Sequence, residues 1–363
     1  MTRPPGARIP RYTVLGFPVD AVSLAGAAAL IGAQLDSQLA LPPGHQQRSH
    51  EARRPQLVQV GAGSTPTLPA PPTSGAGSFH LADAPATRPP TSIWQVVTLQ
   101  PEIVMRARRT PDLRAIIQRA PLVTADGMGI VWALRLRGVR VPERVTGVDL
   151  VEALAGRAAT CGYRLFLLGG APGVAEDAGA ALRRRHPGLA VVGAWAGSPD
   201  PADDAETRRQ IRDAQPDLVF VAYGSPAQER WIAQVGPTLL ADRQRGGGDG
   251  SVDGAASDED NGADDGYSGE PRHRLVAIGV GGALDLLAGR IPRAPLWMQR
   301  AGFEWLYRLL RQPWRWRRML ALPQFAWLAL GEALRARMQG GWDMSDNGDE
   351  ATDQRDEPDA DER

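Results

Sequence analysis

Short apolar runs that end in glycine or a polar turn, each followed by helical periodicity, recur along this chain, and that alternation restricts its fold more than any other feature. Leu122–Ala125 runs into Asp126-Gly127, Arg164–Leu168 into Gly169-Gly170, Leu218–Ala222 toward Gly224, and Leu275–Ile278 into Gly279-Val280-Gly281-Gly282. Strands alternating with helices of this length predict an α/β fold: a mostly parallel, Rossmann-like sheet flanked by helices on both faces. Ligands of such sheets bind outside the carboxyl ends of the strands, so these turns should meet at one rim, the default site.

The most informative junction is Asp126, which stands between the strand Leu122–Ala125 and a helix from Met128 to Arg137 with Ile130, Val131 and Leu134 on one face. Glycine on either side of Met128, at positions 127 and 129, permits another backbone or a ligand to approach closely. Two readings fit Asp126. It is either a helix N-cap, which needs no chemistry, or a carboxylate presented to a substrate.

Three stretches are set aside before counting domains. Residues 37–90 hold ten prolines among Gly, Ser and Thr, residues 242–272 are rich in Gly, Asp and Ser, and residues 343–363 carry ten carboxylates against two arginines. None has the apolar content to bury a core, so they are expected to be two disordered insertions and a disordered tail. Residues 1–36, 91–241 and 273–289 remain for one α/β domain, with 290–342 as a basic helical C-terminal appendage. The first part contains a strand Tyr12–Leu15, a turn Gly16–Asp20 and an Ala-rich helix.

The formal charge of zero hides an asymmetry, because Arg290–Arg318 contains eight arginines and one acid, Glu304. Such a patch attracts phosphates or an anionic membrane surface. Trp297, Trp305, Trp314, Trp316 and Trp327 interleave with it, in what reads as two or three short helices interrupted at Pro313 and Pro323. Arg308, Arg315 and Arg318 are spaced to share a helical face, either a solvated basic face or a diphosphate clamp. The chain has no lysine, which excludes a Schiff base and a Walker-type phosphate loop. Its single cysteine, Cys161, forms no intramolecular disulfide, and its five histidines make no metal-ligand spacing. No clean signal peptide is present, and no run reaches the roughly 20 apolar residues of a spanning helix.

The glycine turns taken singly say little. Gly169-Gly-Ala-Pro-Gly173 and Gly279-Val-Gly-Gly282 both lack the G-x-G-x-x-G spacing, so a dinucleotide fingerprint is absent. Gln228 and Glu229 also fit the first turn of the helix that holds Trp231.

In order, however, Thr98-Leu-Gln-Pro101, Thr124-Ala-Asp-Gly127, Glu143-Arg-Val-Thr-Gly-Val-Asp-Leu150, Leu168-Gly-Gly-Ala-Pro-Gly-Val174, Gly224-Ser-Pro-Ala-Gln-Glu-Arg-Trp231, Gly279-Val-Gly-Gly-Ala-Leu-Asp285, Arg293-Ala-Pro295 and Gly302-Phe-Glu-Trp-Leu-Tyr-Arg-Leu309 closely resemble the WecG/TagA/CpsF family of bacterial glycosyltransferases. That family includes the N-acetylmannosaminyltransferases of wall teichoic acid and enterobacterial common antigen synthesis. The resemblance implies transfer of a sugar, typically N-acetylmannosamine, from a UDP-sugar donor to a polyprenyl-diphosphate-linked acceptor. It implies inversion at the anomeric carbon, no metal and no cofactor, and no nucleic-acid partner. It places the protein in the cytoplasm, peripherally associated with the inner face of the cell membrane. By motif, Asp126 resembles the general base, and Arg308, Arg315 and Arg318 resemble the arginines that cover the site from the appendage. Thr98, Gln100, Gly127, Thr146, Asp149, Gly169 and Gly170 are expected to contact substrate, as are Gly224, Gln228, Glu229, Gly281, Gly282 and Asp285.

One departure stands out: the family usually carries asparagine where this chain has Gln100. The extra methylene moves the amide by about one bond length, enough to spoil a close hydrogen bond and change sugar specificity. Alternatives are a transferase of the same architecture using another UDP-hexose for exopolysaccharide, and a non-catalytic protein that binds a UDP-sugar or lipid diphosphate.

Overall fold

The computed structural model describes residues 9–39, 93–246, 275–301, 304–311, 313 and 316–338. Six strands form one sheet: β3 (Trp94–Leu99), β4 (Leu122–Ala125), β5 (Arg164–Gly169), β6 (Ala190–Trp195), β7 (Leu218–Ala222) and β8 (Val276–Gly279), in the spatial order β4-β3-β8-β7-β5-β6. Every neighbouring pair is parallel. β3, β4 and β8 are buried along their whole length, as strands covered on both faces must be, which explains why their sequences are apolar runs and not alternating patterns.

Helices cover both faces. Leu24–Leu39, Gly147–Cys161, Val174–Arg185 and Ala283–Leu287 pack into one core cluster. Pro101–Ala107, Pro111–Arg119 and Met128–Leu136 form a second cluster on the other face, beside a third built by Asp204–Ala214 and Ala227–Gly246. The last helix, Ala321–Met338, lays Phe325, Ala329 and Ala333 on the second face, each less than 5% exposed. Its Glu332 accepts from the backbone N–H of Leu15 at 3.1 Å and faces Arg137 at 3.7 Å. This part of the expected appendage is therefore continuous with the α/β core. Pro323 does not interrupt it, because it falls in the first turn, where its missing N–H leaves no bond unmade.

The N-terminus also differs from the expected strand and turn. β1 (Arg11–Val14) and β2 (Phe17–Asp20) form an antiparallel hairpin whose loop, Leu15-Gly16, has positive φ at both residues (50° and 82°). Asp20, 1% exposed, receives a bidentate pair from Arg11 at 2.9 and 2.8 Å and the Val123 amide at 2.8 Å, tying the hairpin to β4. The helices Leu24–Leu39 and Ala227–Gly246 each overrun the expected start of an insertion by a few residues. The rest of 37–90 and 242–272, and the tail 343–363, lie outside the described residues.

Candidate active site

Parallel strands place all their carboxyl ends at one rim, and register decides which ends are neighbours. Leu99 pairs with Ala125, so the next residues, Gln100 and Asp126, emerge side by side, and the Gln100 amide donates to Asp126 Oδ2 at 2.8 Å. The glutamine thus reaches the carboxylate despite its extra methylene. The backbone N–H groups of Asp126 and Gly127 both turn back to the Leu99 carbonyl, at 3.1 and 3.3 Å. The helix Met128–Leu136 follows at once, and its N-terminal dipole favours negative charge at Asp126.

Asp126 is not the helix cap. The N-cap position falls on Gly127, which has no side chain to cap with, and Asp126 stands one residue before it. Gly127 and Gly129 are small because Pro101, at the start of the neighbouring helix, lies against them: a Cβ at Gly127 would come 2.5 Å from Pro101 Cδ, and one at Gly129 2.7 Å from Pro101 Cγ. Phe325 of the last helix is the next neighbour, 3.5 Å from a Cβ built on Gly129.

A cavity of about 1110 Å³ opens from Asp126. It lies at the top of the roughly 300–1,000 Å³ range of ordinary small-ligand pockets. Thr98, Gln100, Asp126, Gly127, Thr146, Gly224, Gln228, Gly281 and Gly282 line it; Asp149, Gly169, Gly170, Glu229 and Asp285 do not. The arginine face of the appendage falls beyond what can be described: Arg308 and Arg318 belong to the helices Glu304–Arg311 and Trp316–Met319, but their side chains, and all of Arg315, lie outside the described residues.

Several expected substrate residues hold the rim in shape. Thr98 Oγ1 donates to the Gly279 carbonyl at 2.9 Å, joining the ends of β3 and β8. Gln228, 2% exposed, accepts from the Gly281 N–H and donates to Glu229 Oε1, each at 2.9 Å. Glu229 is 1% exposed, and burial pushes its carboxyl above the ordinary carboxylate range. Thr146 caps the helix Gly147–Cys161 by accepting from the Asp149 N–H at 3.1 Å, and its hydroxyl donates to Asp149 Oδ2 at 2.7 Å. The other oxygen of Asp149 takes Arg293 Nη2 at 2.6 Å. Gly169, at φ 107°, lets β5 approach β7, since its Cβ would lie 2.7 Å from the Ala222 carbonyl carbon.

Sequence reasoning left other wall residues unnoticed. Arg144, beside Thr146 in the wall, pairs with Glu304 at 3.0 Å, so the helix Glu304–Arg311 is fastened to the core at the cavity itself. Its signal lay inside the quoted Glu143–Leu150 motif. Arg106, Arg109, Trp132 and Phe325 also line the cavity.

With that geometry in view, comparison with known proteins is decisive. The sequence profile of the glycosyl transferase WecG/TagA/CpsF family matches residues 81–251 and 270–339. The chain belongs to this family. This glycosyltransferase is 30% identical over 240 residues to the N-acetylglucosaminyldiphosphoundecaprenol N-acetyl-beta-D-mannosaminyltransferase of Bacillus subtilis strain 168, covering 65% of this chain and 79% of the relative. It is 31% identical over 233 residues to the protein of the same name from Bacillus spizizenii, covering 63% and 76%. It is therefore a sugar-transferring enzyme. Among the described residues, no helix of this transferase is long and apolar enough to cross a membrane.

Proposed function

We propose that this glycosyltransferase moves N-acetylmannosamine from UDP-N-acetylmannosamine to a hydroxyl of a polyprenyl-diphosphate-linked sugar, with inversion and without a metal. The observation that carries the reading is the Asp126 carboxylate, oriented by Gln100 at 2.8 Å and opening into a large cavity with arginines in its wall. Inverting transfer requires a base within hydrogen-bond reach of the acceptor hydroxyl, which attacks the anomeric carbon as the UDP oxygen leaves. Asp126 takes the hydroxyl proton. Arg308, Arg315 and Arg318 neutralise the leaving diphosphate, the part a metal plays in other transferases; the helices that carry Arg308 and Arg318 border the cavity through Glu304, Trp305 and Met319.

The acceptor is reached from a membrane surface. Trp327, Leu330, Leu334 and Met338 form an apolar stripe on the side of the last helix away from Phe325, Ala329 and Ala333, with exposures of 42–86%. A stripe of this kind beside an arginine-rich segment suits the interfacial region of an anionic bilayer. UDP release from a panel of UDP-sugars, in EDTA, with and without a short-chain lipid-diphosphate-N-acetylglucosamine, tests the transfer. Acceptor-dependent release from UDP-N-acetylmannosamine is expected. Release that needs a divalent cation, or none with any pair of substrates, refutes the reading.

A further inference from the structure

The helix that begins just after Asp126 carries an apolar stripe away from it. Gly129, Trp132, Ala133 and Leu136 all line the cavity, and the seven residue steps from first to last extend roughly 10 Å along the axis. Trp132 is 48% exposed and Leu136 43% exposed, and Leu320, facing the same space, is 53% exposed. A continuous apolar surface left open inside a cavity marks a binding surface. The neighbouring helix Pro101–Ala107 starts beside Gln100 and brings a different chemistry: Arg106 near its end and Arg109 just beyond, both exposed, line the same cavity. The last helix closes the space between these two, through Phe325 and Ala329. The result is a trough with the carboxylate at one end, guanidiniums along one side and apolar side chains along the other.

We propose that this trough receives the lipid-proximal part of the acceptor: Arg106 and Arg109 hold its diphosphate, and its first prenyl units lie against Trp132, Leu136 and Leu320. The assignment rests on the transfer reading above, which fixes the order hydroxyl, sugar, diphosphate, prenyl chain. That order calls for a cationic and an apolar surface in the same cavity as Asp126, and the trough offers both, on its two sides. The enzyme thereby recognises the start of the lipid itself, and the membrane supplies only the remainder of the chain.

The test uses the full chain in membrane-free buffer, titrated with inorganic diphosphate, methyl diphosphate and farnesyl diphosphate below its micelle-forming concentration. Farnesyl diphosphate should bind at least tenfold more tightly than methyl diphosphate, the factor expected when one Leu-sized group leaves water. Trp132→Ala and Leu136→Ala should each remove most of that gain and leave methyl diphosphate affinity unchanged. Arg106→Ala combined with Arg109→Ala should weaken all three ligands by a similar factor. Equal affinity for the methyl and farnesyl compounds, or a gain untouched by both trough substitutions, overturns the proposal. UDP release is scored separately, so a chain that binds farnesyl diphosphate as described but transfers no sugar refutes the transfer reading alone.

Discussion

Replacing Asp126 by asparagine separates base chemistry from architecture. Asparagine keeps the shape of the side chain, and its carbonyl oxygen still accepts from the Gln100 amide now 2.8 Å from Oδ2. The backbone bonds that form the junction, from Asp126 and Gly127 to the Leu99 carbonyl, involve no side chain. Stability should therefore change by no more than about 0.5 kcal/mol, and Tm by about 2 °C at most. What disappears is the proton acceptor. General base catalysis contributes about 10²–10⁴ in rate, or roughly 3–5 kcal/mol of barrier. Asp126→Asn should lower kcat by that factor while UDP-sugar affinity stays within about threefold. Initial rates of UDP release at saturating donor and acceptor give kcat, and calorimetric titration with UDP gives binding. A turnover within fivefold of wild type would refute the base assignment, and a collapse of UDP affinity would make Asp126 a donor ligand.

Other outcomes follow from the same structure. Gln100→Asn shortens the amide that holds Asp126, so the ratio of kcat/KM for UDP-N-acetylmannosamine over UDP-N-acetylglucosamine should shift by roughly fivefold, the worth of about one hydrogen bond; an unchanged ratio in a two-donor assay sinks the specificity argument. Burial raises the carboxyl of Glu229, so its protonated form is favoured in the fold. That contribution is complete below the ordinary glutamate range and is lost as pH rises through the raised folded value. Glu229→Gln keeps an acceptor for Gln228 and has no such titration, so its Tm minus that of wild type should grow between pH 4 and pH 8; a constant difference contradicts this. Phe325→Ala, at a site 3% exposed, should cost about 3–5 kcal/mol by urea unfolding and open the cavity wall beside Gly129, and a change below 1 kcal/mol would mean the last helix is not part of the core. Trp327→Ala should weaken sedimentation with anionic vesicles while leaving short-chain acceptor turnover unchanged; unchanged sedimentation refutes the membrane-facing stripe.

The sheet was legible because its causes are local. Leu122–Ala125 and the helix from Met128 end within a residue of expectation, as a buried strand and an amphipathic turn are written in neighbouring side chains. Asp126 was ambiguous for a reason of one residue: the helix starts late enough for Gly127 to take the cap, and periodicity cannot resolve that. The pair Thr146 and Asp149 carries the hydroxyl-x-x-acid spacing of a cap, so its structural part in the rim was readable in the chain. The hairpin was not. A leucine at φ 50° contradicts local preference, and the bond that supports it comes from Glu332. Arg106 and Arg109 look like a solvated helix end in sequence. They become part of a cavity only when the last helix arrives beside them.

The bond from Leu15 to Glu332 spans 317 positions. During synthesis at about 5–20 residues per second, the first hairpin therefore waits roughly 15–60 s for the partner that fixes its turn. Until that helix emerges, the trough has no third wall and Phe325 has not sealed the space beside Gly129. A ribosome-bound or prematurely ended chain can build its sheet yet lacks a closed site. Closure of the site is in this way tied to the emergence of the helix Ala321–Met338.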